Sequence, residues 1–450
     1  MKKFFAFAMA ALVLTSCDKE EATADSSFAM KATAADYSSA CTLPVTTVTG
    51  EITANTTWDN DHVWVISGIV RVKSGATLTI EAGTYIKADL SHAAPTGVLV
   101  ITKTGKINAI GTAANPIVFT SAALLDCDAA TTPKPGDFGG VVFLGDAPVN
   151  TGSVTNVIEG LGDQSPAADF QYGGTNSTHD VGSFQYVRIE YAGRKLTENV
   201  EINGLTLGGV GDAGLSAAST KIHHVQVTYG LDDAFEFFGG NADARYLVAF
   251  GQDDDAFDFD LGYTGTVNYA VALADKNSTH SLSGTNPDSN GIELDNDATG
   301  STNTPFTRPI VNHLSIIGVS SSTDAARYEN GIHIRRNGRI TLQNSTVAGY
   351  GVNANTTTTP ATPDSWAIRF ESPSLNTDSG FSNVQVNAFR TSPFTTPGSI
   401  SANVTEVSSN NFGMTQPFFN NGTINFAGAT NGAFVDGATW IDNWTKFSNF

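Results

Sequence analysis

A short pattern recurs six times in the second half of the chain and limits the folds that it can adopt. Each copy places a small residue before two apolar residues that flank one variable residue. An Asn or Asp precedes the small residue in five copies, and Trp366 takes that place in the sixth. The copies are Gly204-Leu-Thr-Leu207, Ala234-Phe-Glu-Phe237, Ala256-Phe-Asp-Phe259, Gly291-Ile-Glu-Leu294, Gly331-Ile-His-Ile334 and Ala367-Ile-Arg-Phe370.

A second type of apolar segment alternates with these copies. Examples are Val225-Gln-Val-Thr-Tyr229 and Leu247-Val-Ala-Phe250, and most such segments end at a glycine. Two alternating strand types that repeat every 22 to 40 residues predict a solenoid in which successive coils stack. The 44 glycines also favour β structure with many turns. We therefore predict an all-β chain that forms a single parallel β-helix.

Segments earlier in the chain carry a family resemblance. Gly75-Ala-Thr-Leu-Thr-Ile-Glu-Ala-Gly-Thr84 and Gly111-Thr-Ala-Ala-Asn-Pro-Ile-Val-Phe-Thr-Ser121 resemble bacterial right-handed parallel β-helix proteins. With the later coils, they look like the β-helix lipoproteins and secreted proteins of Bacteroidetes, which have a pectate-lyase-like architecture. The resemblance implies a right-handed solenoid over residues 41–450, with the aromatic C-terminal end as a cap on the last coil. It indicates architecture far better than activity.

The amino terminus predicts export and lipidation. An apolar run from Phe4 to Leu14 follows two lysines and is too short to span a bilayer. Leu14-Thr-Ser-Cys17 then resembles the lipobox of bacterial lipoproteins. That resemblance implies a signal peptide over residues 1–16, a lipid on Cys17, and a flexible tether over residues 17–40. The alternative is an ordinary cleaved signal in which Cys17 occurs by chance.

The residues after Cys17 bear on localisation. Asp18-Lys-Glu-Glu21 resembles the surface-export tag of Bacteroidetes lipoproteins, whereas the Asp alone resembles an inner-membrane retention signal of enterobacteria. We favour the first interpretation and expect an outer-membrane lipoprotein that faces outward. Cys41 and Cys127 remain, and they either form a disulfide in an oxidising compartment or stay as two thiols, because the sequence does not give their separation.

The net charge of −20 argues against nucleic acid as a partner, because phosphate binding requires clustered Lys and Arg. The acidic residues are concentrated: residues 231–300 contain 14 Asp or Glu but only Arg245 and Lys276 as basic residues. Cations, neutral ligands or basic surfaces are the partners that fit this charge.

Strand alternation turns the two apolar residues of each copy inward, so the variable residue points to solvent. Stacking then predicts an ordered column in which the small residues leave the surface open for a ligand. The column contains Thr206, Glu236, Asp258, Glu293, His333 and Arg369. Two residues further along, the same face carries Gly208, Phe238, Asp260, Asp295, Arg335 and Glu371.

This face is the predicted functional site, and it allows three interpretations. In the first, a polysaccharide or another extracellular ligand binds there through Phe238, Asp260, Asp295 and His333. In the second, Glu236, Asp258, Glu293 and Arg335 are catalytic groups of a glycoside hydrolase or polysaccharide lyase. In the third, the acids are ordinary surface charges of a structural adhesin. No clear hydrolase or lyase signature decides among them, and we favour binding.

Clustered aspartates just before the column predict a site for a hard cation such as calcium, which takes six or more oxygen ligands. The predicted ligands are Asp232, Asp233, Asp253, Asp254 and Asp255. By contrast, we interpret the Asn or Asp before each small residue as structural, because such side chains can hydrogen-bond along the axis of a solenoid.

Overall fold

The computed structural model describes residues 37–195, 202–212, 221–355, 363–371, 378–395, 403–406, 419–420, 423–424, 431–435 and 439–447. The predicted signal peptide, Cys17 and most of the tether therefore lie outside the described residues. No helix of the described residues is long and apolar enough to cross a membrane.

Strands dominate the described chain, with short helices α1 (Tyr37–Ala40) and α2 (Ser322–Ala325) and 3₁₀ turns at Ala122–Leu124 and Ala167–Phe170. The first strands are β1 (Val45–Val48), β2 (Glu51–Ile52), β3 (Thr56–Trp58), β4 (Val63–Ile66), β5 (Ile69–Val72), β6 (Thr77–Ile80), β7 (Tyr85–Ala88), β8 (Val98–Ile101), β9 (Lys106–Ile110), β10 (Ile117–Thr120), β11 (Gly140–Leu144), β12 (Asn156–Val157) and β13 (Gln171–Tyr172). The next are β14 (Gly182–Glu190), β15 (Leu205–Gly208), β16 (Ile222–Thr228), β17 (Phe235–Phe238), β18 (Ala244–Phe250), β19 (Phe257–Asp260), β20 (Thr266–Leu273), β21 (Leu282–Ser283), β22 (Asn286–Pro287) and β23 (Ile292–Leu294). The last are β24 (Ile310–Ile317), β25 (Ile332–Ile334), β26 (Thr341–Tyr350), β27 (Ile368–Phe370), β28 (Gly380–Ala388), β29 (Val404–Glu406), β30 (Phe419–Asn420) and β31 (Thr423–Ile424).

Two parallel sheets run along the molecule and confirm the predicted parallel β-helix. The second sheet has ten strands in the order β2-β5-β8-β11-β15-β17-β19-β23-β25-β27. The main sheet has fifteen, including the path β1-β4-β7-β10-β14-β16-β18-β20-β24-β26-β28-β29 and the side branch β3-β6-β9 that joins at β14. Both predicted strand types are therefore present, with the six-copy pattern in the second sheet.

The join at β14 shows how the coils change shape. The first half of β14 continues β9 and its second half continues β10, and the strand bends between them at Tyr186, whose φ is 51°. Later strands of the main sheet bend at the same place, also with positive φ. The bend residues are Tyr186, His224, Tyr246, Tyr269, His313, Asn344 and Asn383. The five aromatic members stack with ring centroids 4.2 to 5.3 Å apart.

A continuous apolar core fills the solenoid. Within it, Phe235 stacks on Phe257 at 5.3 Å. The small residues of the six copies are needed by this core, because a Cβ at Gly204 would collide with the Val227 side chain and one at Gly331 with Val347. The expectation that they leave the outer surface open for a ligand is therefore wrong.

Both described ends of the chain pack on the outer face of the main sheet. Helix α1 lies near β4, β7 and β10, and Cys41 forms a disulfide with Cys127 across 86 residues. Near the other end, Trp444 packs edge-on against His224, and Lys446 exchanges backbone hydrogen bonds with the buried Gln226 side chain at 2.6 and 2.8 Å. Residues 439–447 thus cover the side of the solenoid, which differs from the expected cap on the last coil.

Candidate functional site

A hydrogen-bonded ladder defines one corner of the second sheet. The side-chain oxygen of the Asn or Asp in each coil accepts the backbone N–H of the equivalent residue in the next coil, over 2.5 to 3.2 Å. Among the described residues Trp366 is the last member of the ladder, and it only donates a hydrogen bond, so this position needs no amide side chain. The structural interpretation of this column is confirmed. The acceptors are Asn203, Asp233, Asp255, Asn290 and Asn330.

The predicted column on the outer face of the second sheet has the expected register. Thr206 pairs with Glu236, and Glu236 pairs with Asp258. The series continues through Glu293 and His333 to Arg369. The periodic pattern therefore identifies which side chains are neighbours across six coils.

The column is much less exposed than predicted. Thr206 is fully buried, and only 9% of Glu236, 8% of Glu293 and 5% of His333 is exposed, while Asp258 is half-buried. At the Thr206 end of the column, apolar residues of the long insertion after β11 pack on the outer face of the second sheet, and Tyr172 and Ile158 lie beside Gly208. The ring of Tyr172, which belongs to this insertion, lies 6.0 Å from the ring of Phe238. Phe238, which was predicted as a ligand contact, therefore packs against the insertion.

Five carboxylates gather where the ladder meets this face, and we call them the acidic groove: Asp232, Asp233, Glu236, Asp254 and Asp258. Ligand oxygens of Asp233, Glu236 and Asp258 lie within 4.8 Å of one another, as do those of Asp232, Asp233 and Asp254. Asn203 donates a hydrogen bond to Glu236, but the buried Oδ1 of Asp258 has no hydrogen-bond partner among the residues that the structure describes.

Burial raises the pKa of Glu236, Asp258 and Asp233 well above the usual range, and neighbouring carboxylates raise it further. Burial of several like charges in one place is costly unless they are neutralised by protons or a cation. The acidic groove therefore offers the carboxylate oxygens that a hard cation binds, and a bound cation would neutralise the negative charge gathered there.

The other two predicted metal ligands lie beside the acidic groove. Asp255 belongs to the ladder, where its Oδ1 accepts the Asn290 N–H. Asp253 is half-buried, and its backbone carbonyl accepts hydrogen bonds from Ser281 and Ser289 of the loop over residues 276–289. That loop therefore forms one wall beside the carboxylates.

An ion-pair network follows the acidic groove along the solenoid. Arg335 bonds to Glu293 and to both oxygens of Asp295, the latter at 3.0 and 3.1 Å. Arg336 reaches Asp295 at 2.7 Å. Burial nevertheless raises the pKa of Asp295 to about 7 and outweighs the opposing effect of Arg336. Arg335 could act as a base only if its guanidinium broke its ion pairs with Glu293 and Asp295.

His333 belongs to the same network. Its Nδ1 lies 2.9 Å from Glu329, which also receives a hydrogen bond from Arg369 at 2.8 Å. Burial acts to raise the pKa of Glu329, but its contact with His333 and the positive charge of Arg369 bring it below the usual range. Asp260, predicted as a ligand contact, is half-buried, and burial raises its pKa to about 6.

Glu329 and Tyr172 were not among the predicted site residues. Glu329 directly precedes a ladder residue, as Asp232 and Asp254 do. The recurrence of an acidic residue at this position could therefore have identified Glu329 from the sequence. Tyr172 comes from a nonrepetitive insertion, and no repeat pattern places it over the column.

Comparison with known proteins settles the family. The sequence profile described as a pectate-lyase-like beta helix domain matches residues 50–445. The chain belongs to this family. Its right-handed parallel β-helix is therefore shown by both family and strand topology.

No curated protein shows significant sequence similarity to the chain. Among solved structures, the full-length tailspike protein 2 of the Escherichia coli O157:H7 bacteriophage CAB120 is similar, with 12% identity and a TM-score of 0.34. The alignment covers 83% of this chain but only 38% of the tailspike chain.

Proposed function

We propose that this pectate-lyase-like β-helix protein is a surface-exposed outer-membrane lipoprotein that binds polysaccharide at the acidic groove, with calcium as the bridging ion. The observation that carries the proposal is the group formed by the buried Asp233 and Glu236 and the half-buried Asp258, whose ligand oxygens lie within 4.8 Å of one another.

The chemistry of the group favours a cation over further side-chain pairing. Arg335 is near enough to lower the pKa of Asp258, but its guanidinium is bonded to Glu293 and Asp295. Within the described part of the chain, no donor forms a hydrogen bond to the buried Oδ1 of Asp258. Calcium prefers six to eight oxygens, so hydroxyl or carboxylate oxygens of a sugar would complete the coordination that three carboxylates begin.

Two features support export to the cell surface. Leu14-Thr-Ser-Cys17 resembles a lipobox, and the Cys41–Cys127 disulfide is typical of proteins outside the reducing cytosol. Replacing Cys17 with Ala should release the protein from the membrane fraction, and protease treatment of intact cells should degrade the lipidated protein. Membrane association of the Cys17→Ala protein would contradict the lipid anchor.

Polysaccharide binding can be measured by retention of the mature protein on immobilised acidic and neutral polysaccharides. We expect retention in about 1 mM calcium, the range in which extracellular modules bind this ion, and loss of retention in chelator. The Asp258→Asn protein should lose retention, whereas the matched control Asp61→Asn, at an exposed position, should keep it.

The outcomes separate the three interpretations of the acidic face. Retention without change to the polysaccharide supports binding, whereas release of shortened products would favour the hydrolase or lyase. Equal behaviour with calcium and chelator, and no retention on any polysaccharide, would contradict the proposal and favour a structural adhesin.

A further inference from the structure

A groove at the corner where the chain enters the main sheet differs in charge from the rest of this acidic molecule. Its volume is about 490 Å³, within the range of small-molecule sites. We call it the basic groove and define it by the six lining residues that matter here: Thr264, Phe306, Arg308, Ile310, Arg339 and Thr341.

The strand register places two like charges side by side in the basic groove. Ile310 pairs with Thr341, and the backbone ladder extends upstream, where the Arg339 N–H donates to the Thr307 carbonyl at 3.0 Å. Arg308 and Arg339 lie two residues before Ile310 and Thr341, so they occupy neighbouring rungs of the sheet, about 4.8 Å apart. Like charges directly opposite each other destabilise a sheet unless something neutralises them.

Only one of the two arginines is neutralised by the described residues. Arg339 pairs with Asp378 at 3.1 Å, and its guanidinium lies 3.3 Å from the centre of the Phe306 ring. These contacts hold the guanidinium in place. Arg308 is exposed, and no carboxylate in the described part of the chain forms an ion pair with it.

The surroundings of Arg308 combine apolar and hydroxyl groups. Ile310, two residues along the same strand face, is 41% exposed, and the half-buried Phe306 ring adds a second apolar surface. The rung below Arg308 carries Thr264, since Thr266 pairs with Ile310 two residues later. Guanidinium groups bind oxyanions through paired N–H bonds, while apolar faces and hydroxyls suit a sugar ring.

We propose that the basic groove binds an acidic sugar, with Arg308 and Arg339 holding its oxyanion and with Phe306 and Ile310 contacting its ring. The oxyanion is a carboxylate or a sulfate, because both offer the paired oxygens that a guanidinium recognises. This site needs no metal, so it is independent of the acidic groove and of the function proposed above.

The test is calorimetric titration of the full mature protein in excess chelator, which removes any contribution from a cation at the acidic groove. The probes are a uronic-acid trisaccharide, a sulfated trisaccharide and a neutral trisaccharide of the same ring type. At least one acidic probe should bind, and the neutral probe should bind at least tenfold more weakly. The stronger acidic probe identifies the oxyanion.

Arginine variants locate the binding. Arg308→Gln should weaken binding of the acidic probe at least tenfold, and Arg308→Lys should weaken it less because the charge remains. Arg327→Gln is the matched control, since Arg327 is also exposed and lies outside the basic groove. Equal thermal midpoints for the variants would show that each is folded.

Three results would overturn the proposal: no binding of either acidic probe, equal binding of the neutral probe, or unchanged binding by Arg308→Gln. If inorganic sulfate bound as tightly as the acidic sugars, the proposed contact of Phe306 and Ile310 with the sugar ring would be wrong. Failure of the acidic groove is distinguishable, because it affects only calcium-dependent retention and leaves titration in chelator unchanged.

Discussion

At the scale of single residues, one amide or carboxylate in each of five successive coils supports the turn before the second sheet. Asn330 is fully buried, accepts the Trp366 N–H at 3.0 Å, and donates to Asn290 at 3.2 Å. The sequence predicted this ladder because the Asn or Asp recurs at the same position in five successive copies of the pattern. Such a repeat fixes the identity and neighbours of a side chain, but not what covers it.

Replacing Asn330 with Ala should lower the free energy of unfolding by about 1–3 kcal/mol, because the Trp366 N–H loses its acceptor and the fully buried Asn330 side chain is removed. Urea unfolding followed by tryptophan fluorescence measures the change. The control Asn277→Ala, at an exposed position, should change stability by less than about 0.5 kcal/mol. An equally small effect for Asn330→Ala would contradict a supporting role for the ladder.

At the scale of elements, the main sheet depends on bends that the sequence did not reveal. Tyr186 and His224 adopt positive φ, and neither residue type signals that conformation as glycine does. The strand segments after the bends were predicted correctly from their apolar pattern. The insertion containing β12 and β13 carries no repeat pattern, so the sequence did not predict that its apolar residues pack on the outer face of the second sheet.

The bend also predicts a pH effect. His224 is 9% exposed between Tyr186 and Tyr246, and burial, followed by the nearby positive charges, lowers its pKa to about 3. The folded state thus favours neutral histidine, while the unfolded chain binds a proton near pH 6.5. Its contribution to stability is therefore present above about pH 6.5 and is lost as the pH falls towards 3.

His224→Tyr should reduce the loss of stability between about pH 7 and pH 5, because tyrosine stays neutral there and already occupies the equivalent bends at Tyr246 and Tyr269. Urea unfolding across this pH range is the measurement. The same substitution at the exposed His92 serves as the control. A pH dependence identical to that of the unmodified protein would contradict the assignment.

At the scale of the whole molecule, stability is distributed along the stack, since each coil contacts mainly its neighbours. Alternating strand types and family resemblance were sufficient to predict this architecture. They left the state of Cys41 and Cys127 open, because their separation depends on how α1 folds back on the main sheet. In the structure their Cα atoms are 5.5 Å apart.

Replacing both cysteines with Ala should destabilise the first coils by up to about 4 kcal/mol, because the disulfide closes a long loop. Hydrogen exchange should become faster in β1, β4 and β7 and stay unchanged in β20 and β24, which lie far along the sheet. Uniformly faster exchange would instead indicate that the solenoid unfolds as one unit.

The acidic groove as a cation site is the central claim, and thermal unfolding of the mature protein with calcium or chelator tests it most directly. A hundredfold excess of calcium over its Kd should stabilise the protein by about 2.7 kcal/mol. The Asp258→Asn protein should lose most of this gain, and Asp61→Asn should keep it. Identical unfolding midpoints in calcium and chelator, or an undiminished gain in Asp258→Asn, would contradict the claim.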